Sequence, residues 1–209
     1  MLAILHISAS CAMIGTAHAH GAYHDAVTQI QSALKQTPND PALHFRLACA
    51  HHEHGEWEAA LVETERVDRL EPGRYPTDLV RGQALAAGGH WSAAKTVFDR
   101  FLIGQPDHSV ALAQRAKVLL KLEQTSAALA DYRGAVAKGT PEADLFIEAA
   151  DALATHGSLD EAVTLLRRAI AECGNVPSLL LRSLDHELAA KNFDEALARV
   201  AALQGGAPR

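Results

Sequence analysis

The sequence predicts an all-α chain built by stacking short helix pairs, and three observations carry that prediction. An alanine returns every 34 residues, at Ala26, Ala60, Ala94, Ala128, Ala162 and Ala196. Each sits in one frame of larger side chains. Three positions before it stand Tyr23, Trp57, Trp91, Thr125, Leu159 and Phe193, and four after it Ile30, Thr64, Phe98, Tyr132, Leu166 and Val200. No stretch alternates apolar and polar residues as a half-buried strand would. A fixed period of this length marks a repeat array, in which each unit buries its apolar face only against its neighbours. Such arrays bind along a surface and seldom catalyse.

The phase places units at 7–40, 41–74, 75–108, 109–142, 143–176 and 177–209. The middle of each first helix carries a small residue, Ala48, Gly82, Ala116 or Ala150, that lets two helices approach closely. A turn glycine ends that helix at Gly21, Gly55, Gly89 and Gly157, supplying the left-handed conformation of a helix C-terminus. Glu123 and Lys191 stand in its place in the fourth and sixth units. The second helix centres on the phased alanine and continues to Ala33, Val67, Phe101, Ala135, Ala169 or Leu203. Proline closes it at Pro38, Pro72 and Pro106, with Pro141 one place late and Pro208 further on.

These residues, together with the segment EWEAALVETERVDRLEP at 56–72, resemble the tetratricopeptide repeat over nearly the whole chain. The resemblance implies a right-handed superhelical solenoid of antiparallel helix pairs, about five full repeats after a partial N-terminal one. It also implies a non-enzymatic scaffold that holds a protein or peptide partner in a concave groove. In the family that groove is lined by the second, fifth, ninth and twelfth positions of each first helix. Here those positions bring in Phe45, His52, Leu79, Gln83, Lys117, Leu120, Ile147, Asp151, Leu181 and Asp185. The basic and asparagine residues of the carboxylate clamp found in chaperone-binding members are absent, which disfavours an acidic C-terminal peptide. Phe45, Leu79, Leu120, Ile147 and Leu181 are the apolar anchors, with acidic residues toward the C-terminal end. Such a surface suits an amphipathic helix or an extended apolar peptide. The alternative is that some of these side chains face neighbouring helices and leave the groove blander.

The formal charge of −6 argues against a nucleic-acid partner, which would call for a basic stripe. After residue 20 no apolar run is long enough to span a membrane. Residues 1–19 lack acidic residues, lysine and arginine, and end in Ala17-His18-Ala19, a small–x–small junction of the kind signal peptidase reads. The expectation is a signal peptide over 1–19, cleavage after Ala19 and a periplasmic or exported chain at 20–209. The alternative is that 7–20 is the first helix of the first repeat, with the N-terminus retained and the protein cytoplasmic. Cys49 and Cys173 fall in separate units and read as small packing residues.

Histidine is unevenly spread: of twelve, seven are His18, His20, His24, His44, His51, His52 and His54. Antiparallel packing sets the start of a helix at 22–36 beside the end of one at 42–54. That brings His20 and His24 toward His51 and His54, which lie three apart on one helix face. Four imidazoles converging there suit copper or zinc, giving a metal-binding alternative to the scaffold. The competing reading makes His51 a packing residue and His54 a helix-terminal cation. The apolar last helix and a first unit shortened by cleavage predict dimerisation, as a homodimer through a terminal repeat, or docking at one end. Phosphate-binding glycine loops and the nucleophile elbow are missing from the sequence.

Overall fold

A computed structural model describes the backbone over residues 16–140 and 142–205, and side chains from 23 to 204 apart from 141. Among the described residues there are eleven helices and no strand, as the period requires. The chain divides into two compact units, Met1–Val80 and Arg81–Arg209.

Unit 1 contains α1 (Thr16–Gln36), α2 (Pro41–Glu53), α3 (Trp57–Leu70) and the first residues of α4 (Thr77–Ala87). α2 packs on both α1 and α3. Its start is fixed by Asp40, whose carboxylate accepts from the backbone N–H of Ala42 at 2.9 Å and of Leu43 at 3.2 Å. Pro41 follows at the first helical position, where its missing N–H costs nothing. Gly21, expected in a turn, instead lies inside α1. Alanines at 17, 19, 22 and 26 surround it, and their helix propensity carries the helix through.

Unit 2 contains the rest of α4, then α5 (Trp91–Gly104), α6 (Ser109–Lys121), α7 (Thr125–Lys138), α8 (Ala143–Thr155), α9 (Leu159–Cys173), α10 (Pro177–Ala189) and α11 (Phe193–Gly205). From α5 onward each helix packs on the next, and α8 also meets α10. That last contact sets the first helices of successive repeats side by side. The phased alanines explain the spacing: Ala94, Ala128 and Ala162 are wholly buried in unit 2, as Ala60 is in unit 1. Ala26 is exposed; the residues preceding α1 lie outside the described ones. The larger frame residues Thr64, Phe98, Tyr132 and Leu166 are buried in turn. Each large apolar side chain so buried contributes about 1.5–3 kcal/mol. Val200 occupies the same phase on α11 but is 37% exposed, and beside it Phe193 and Leu197 are 60% and 68% exposed.

The turns repeat as faithfully as the core. Residues 55, 89, 123, 157 and 191 all have positive φ, between 59° and 88°. The residue after each donates its N–H to the carbonyl five positions back: Glu56 to His51, His90 to Leu85, Gln124 to Leu119, Ser158 to Leu153 and Asn192 to Glu187, at 2.8–2.9 Å. This is the Schellman closure of a helix, which favours glycine. Glu123 and Lys191 therefore hold a conformation that the other turns leave to glycine.

Candidate functional site

Two side-chain assemblies stand out, one in each unit. In unit 1, Tyr23 of α1 reaches the end of α2. Its hydroxyl donates to Glu56 Oε2 at 2.7 Å. His51 Nδ1 lies 3.0 Å from that hydroxyl and 2.9 Å from the same carboxylate oxygen. The His54 ring stacks flat on Tyr23, with centroids 3.7 Å apart and planes at 6°. His24 stands beside both, its ring 5.3 Å from Tyr23 and 6.2 Å from His54.

His24, His51 and His54 thus lie around a tyrosine and a glutamate that were not among the expected site residues. The signal was present, since Tyr23 shares the phase of Trp57 and Trp91. Burial first, and then the Glu56 carboxylate it donates to, push the Tyr23 hydroxyl up to about 12. That hydrogen bond, with His51 and His54 nearby, holds the Glu56 carboxyl below its ordinary value. Among the described residues no three His, Cys, Asp or Glu side chains are placed to hold one metal ion. The side chain of His20 lies outside them.

His44 belongs to a different structure. It is buried, with Nδ1 2.6 Å from Glu63 Oε2 and Nε2 donating to the Pro38 carbonyl at 2.9 Å. It ties the loop before α2 to α3. His52, expected in the groove, is only partly exposed and its Nδ1 is buried without a hydrogen-bond partner. Burial lowers its pKa, against the opposing charge of Glu53. Phe45 is half-buried against Tyr75, ring centroids 5.3 Å apart, and Leu79 is half-buried as well. Phe45, His52 and Leu79 are thus each only partly exposed.

Unit 2 keeps more of the expected surface open. Gln83 and Leu120 are half-buried. Lys117 of α6 pairs with Glu148 of α8 at 3.0 Å, and Glu148 Oε1 accepts from the Tyr132 hydroxyl at 2.8 Å. One repeat on, Ile147, Ser178, Leu181, Arg182 and Asp185 line a shallow cleft of about 410 Å³ between α8 and α10. Leu181 is 53% exposed there. Behind it Asp151 accepts from His186 Nε2 at 2.8 Å and lies 3.4 Å from Arg182 Nε. Ile147, Asp151, Leu181 and Asp185 thus come together, while Phe45, His52 and Leu79 lie in the other unit. Arg182 was not among the expected groove residues. It occupies the repeat position of Glu148, 34 residues earlier, one place past the groove register. Its long side chain reaches the cleft from there.

Among the described residues no helix is long and apolar enough to cross a membrane.

The fold and this surface define a helix-pair repeat protein of the scaffold type. The tetratricopeptide repeat model matches residues 16–70 and 113–177. The chain belongs to the tetratricopeptide repeat family. It is similar in structure to a thermophilic tetratricopeptide protein of Thermus thermophilus, with 25% identity, a TM-score of 0.66, and 82% of this chain and 93% of that one covered. It is also similar to YrrB, a tetratricopeptide protein with an unusual peptide-binding site, at 19% identity and a TM-score of 0.59, over 83% and 90% of the two chains. MamA of Desulfovibrio magneticus shares the fold at 22% identity and a TM-score of 0.62, over 79% and 93%. Family and fold make this chain a protein-interaction scaffold.

Proposed function

We propose that the protein is a non-enzymatic adaptor that takes a peptide segment of a protein partner on the α8–α10 surface. The carrying observation is Leu181, a large apolar side chain left half in solvent at the edge of a cleft that also contains Ile147. Leu181 and Ile147 together give the cleft an apolar wall rather than one isolated exposed side chain, and the cleft is too open to enclose a small molecule. Arg182, Asp151 and His186 are tied to one another. Such fixed pairs hold a surface in shape and suit docking better than turnover. The peptide-binding site of YrrB supports a peptide ligand.

Site-specific photo-crosslinking tests this. A crosslinker at position 181 should give a discrete protein adduct in cells. The same group at Ile103, which is 84% exposed on α5, should not. Identical adducts from both positions, or none from 181, would exclude the site. The junction Ala17-His18-Ala19 supports export as the setting, and N-terminal sequencing of native protein should then begin at His20.

A further inference from the structure

We infer that the segment held at α8–α10 is basic as well as apolar, an extended stretch presenting leucine-like and lysine- or arginine-like side chains two residues apart. The inference rests on the groove reading above and adds the chemistry of the partner.

The charges around the cleft do not balance. Apart from Glu187, which is buried against Arg167 and Arg199, four carboxylates, Asp144, Glu148, Asp151 and Asp185, stand on α8 and α10 with two permanent cations, Lys117 and Arg182, beside them. Lys117 is committed to Glu148. Arg182 divides its charge between Asp151 at 3.4 Å and Asp185 at 3.9 Å, and Asp151 already accepts from His186. Asp185, with its side chain 66% exposed, is left facing solvent beside Leu181 with most of its charge unbalanced. Asp144 is exposed one turn before Ile147. An acidic ligand would add like charge to this face, whereas a cationic one is attracted and steered to it.

The spacing selects the ligand's form. Leu181 and Asp185 are one helical turn apart, a rise of about 6 Å. In an extended peptide every second side chain falls on the same side, about 6.8 Å apart. An apolar residue seated on Leu181 and Ile147 therefore delivers the side chain two positions along to Asp185. A lysine or arginine there lays its alkyl stem on the leucine and its charge on the carboxylate.

The test uses the full chain and three labelled synthetic peptides of one pattern, with leucine followed two residues later by lysine, glutamine or glutamate. Binding is read by fluorescence anisotropy. The lysine peptide should bind about ten-fold tighter than the glutamate peptide at low salt, with the gap narrowing as salt rises. Asp185→Lys should invert the order, and Leu181→Ser should weaken all three together. Both positions are exposed, so circular dichroism should show the fold unchanged. If the glutamate peptide binds as well as the lysine peptide while Leu181→Ser still weakens both, the basic partner is excluded and the groove reading stands. If no peptide binds, or Leu181→Ser changes nothing, the groove reading falls and this inference with it.

Discussion

The guanidinium of Arg115 on α6 grips both carboxylate oxygens of Asp131 on α7, Nε to Oδ2 at 2.7 Å and Nη2 to Oδ1 at 2.8 Å. Its remaining nitrogen donates to Asp99 on α5 at 2.8 Å. One side chain thus joins three consecutive helices. Asp131 is buried, so removing its partner leaves a charge in a poorly solvated place. Arg115→Ala should cost about 3 kcal/mol in urea unfolding, and Arg115→Met with Asp131→Leu should restore most of it. Burial works to raise the Asp99 carboxyl, but Lys95 and Arg115 outweigh it and hold the pKa below the ordinary value. That contribution is present above about pH 4 and is lost as pH falls through the depressed value. Arg115→Ala should therefore flatten the acid limb of the stability profile.

The left-handed turns at Glu123 and Lys191 offer a gain. A side chain there costs about 1–2 kcal/mol over glycine in the folded state, part of which glycine's unfolded-state entropy returns. Glu123→Gly and Lys191→Gly should each raise stability by about 0.5–1 kcal/mol, measured as a shift in thermal midpoint. Gly157→Ala, at φ 88°, should lower it by a similar amount.

Gly82 is set by close approach. A Cβ there would lie 2.7 Å from the ring of Phe98, itself fully buried. Gly82→Ala should cost about 1–3 kcal/mol in spite of alanine's better helix propensity. Adding Phe98→Leu reproduces the Ala150 and Leu166 combination of a later repeat and should recover part of the loss.

Glu187 is a buried carboxylate at the repeat position that holds Leu85, Leu119 and Leu153. Oε1 lies 3.3 Å from Arg199 and 3.7 Å from Arg167, while Oε2 is buried with no hydrogen-bond partner. Arg167 keeps Glu195 at 3.1 Å whatever happens at 187. Glu187→Leu combined with Arg199→Met should be neutral or stabilising by about 1 kcal/mol, because dehydrating the pair costs nearly what its attraction returns. Glu187→Ala should lose about 2–3 kcal/mol to the cavity. Denaturant midpoints of the two variants separate the effects.

Tyr23 should fasten α1 to α2 only within a pH window. Its hydroxyl is raised to about 12 and Glu56 is lowered. For the tyrosine, stability is full below about pH 10 and is lost as pH rises through the folded value. For the glutamate, it is full above about pH 4.3 and is lost as pH falls through the depressed value. Hydrogen exchange of α1 amides should be slowest between these limits. Tyr23→Phe should speed it and remove most of the dependence.

From α2 onward the 34-residue period was enough to read the helices, the turns and the buried alanines, because all three follow from spacing along the chain; it failed at Gly21, which is helical, and at Ala26, which is exposed. Even the two missing turn glycines were legible, and the structure adds that their replacements keep the same φ. The side-chain assemblies were less so. His51 and His54 could be brought near α1 by phase, but that Tyr23 and Glu56 sit between them depends on side-chain reach across two helices. Leu181 and Asp185 could be assigned to a groove register, but Phe45 and Leu79 share that register and are only partly exposed, Phe45 lying against Tyr75.

What the sequence determined by itself is the repeat: its period, its turns from α2 onward and the small residues that let neighbouring helices close on one another. Local propensity and one-dimensional spacing suffice for that. Which register positions stay open to a partner, and which charges remain unbalanced there, was decided only in the tertiary structure. Exposure and ion pairing depend on which distant side chain arrives first. Arg182 reaching back to Asp151, with Asp185 left toward solvent, follows from the packing of α10 on α8.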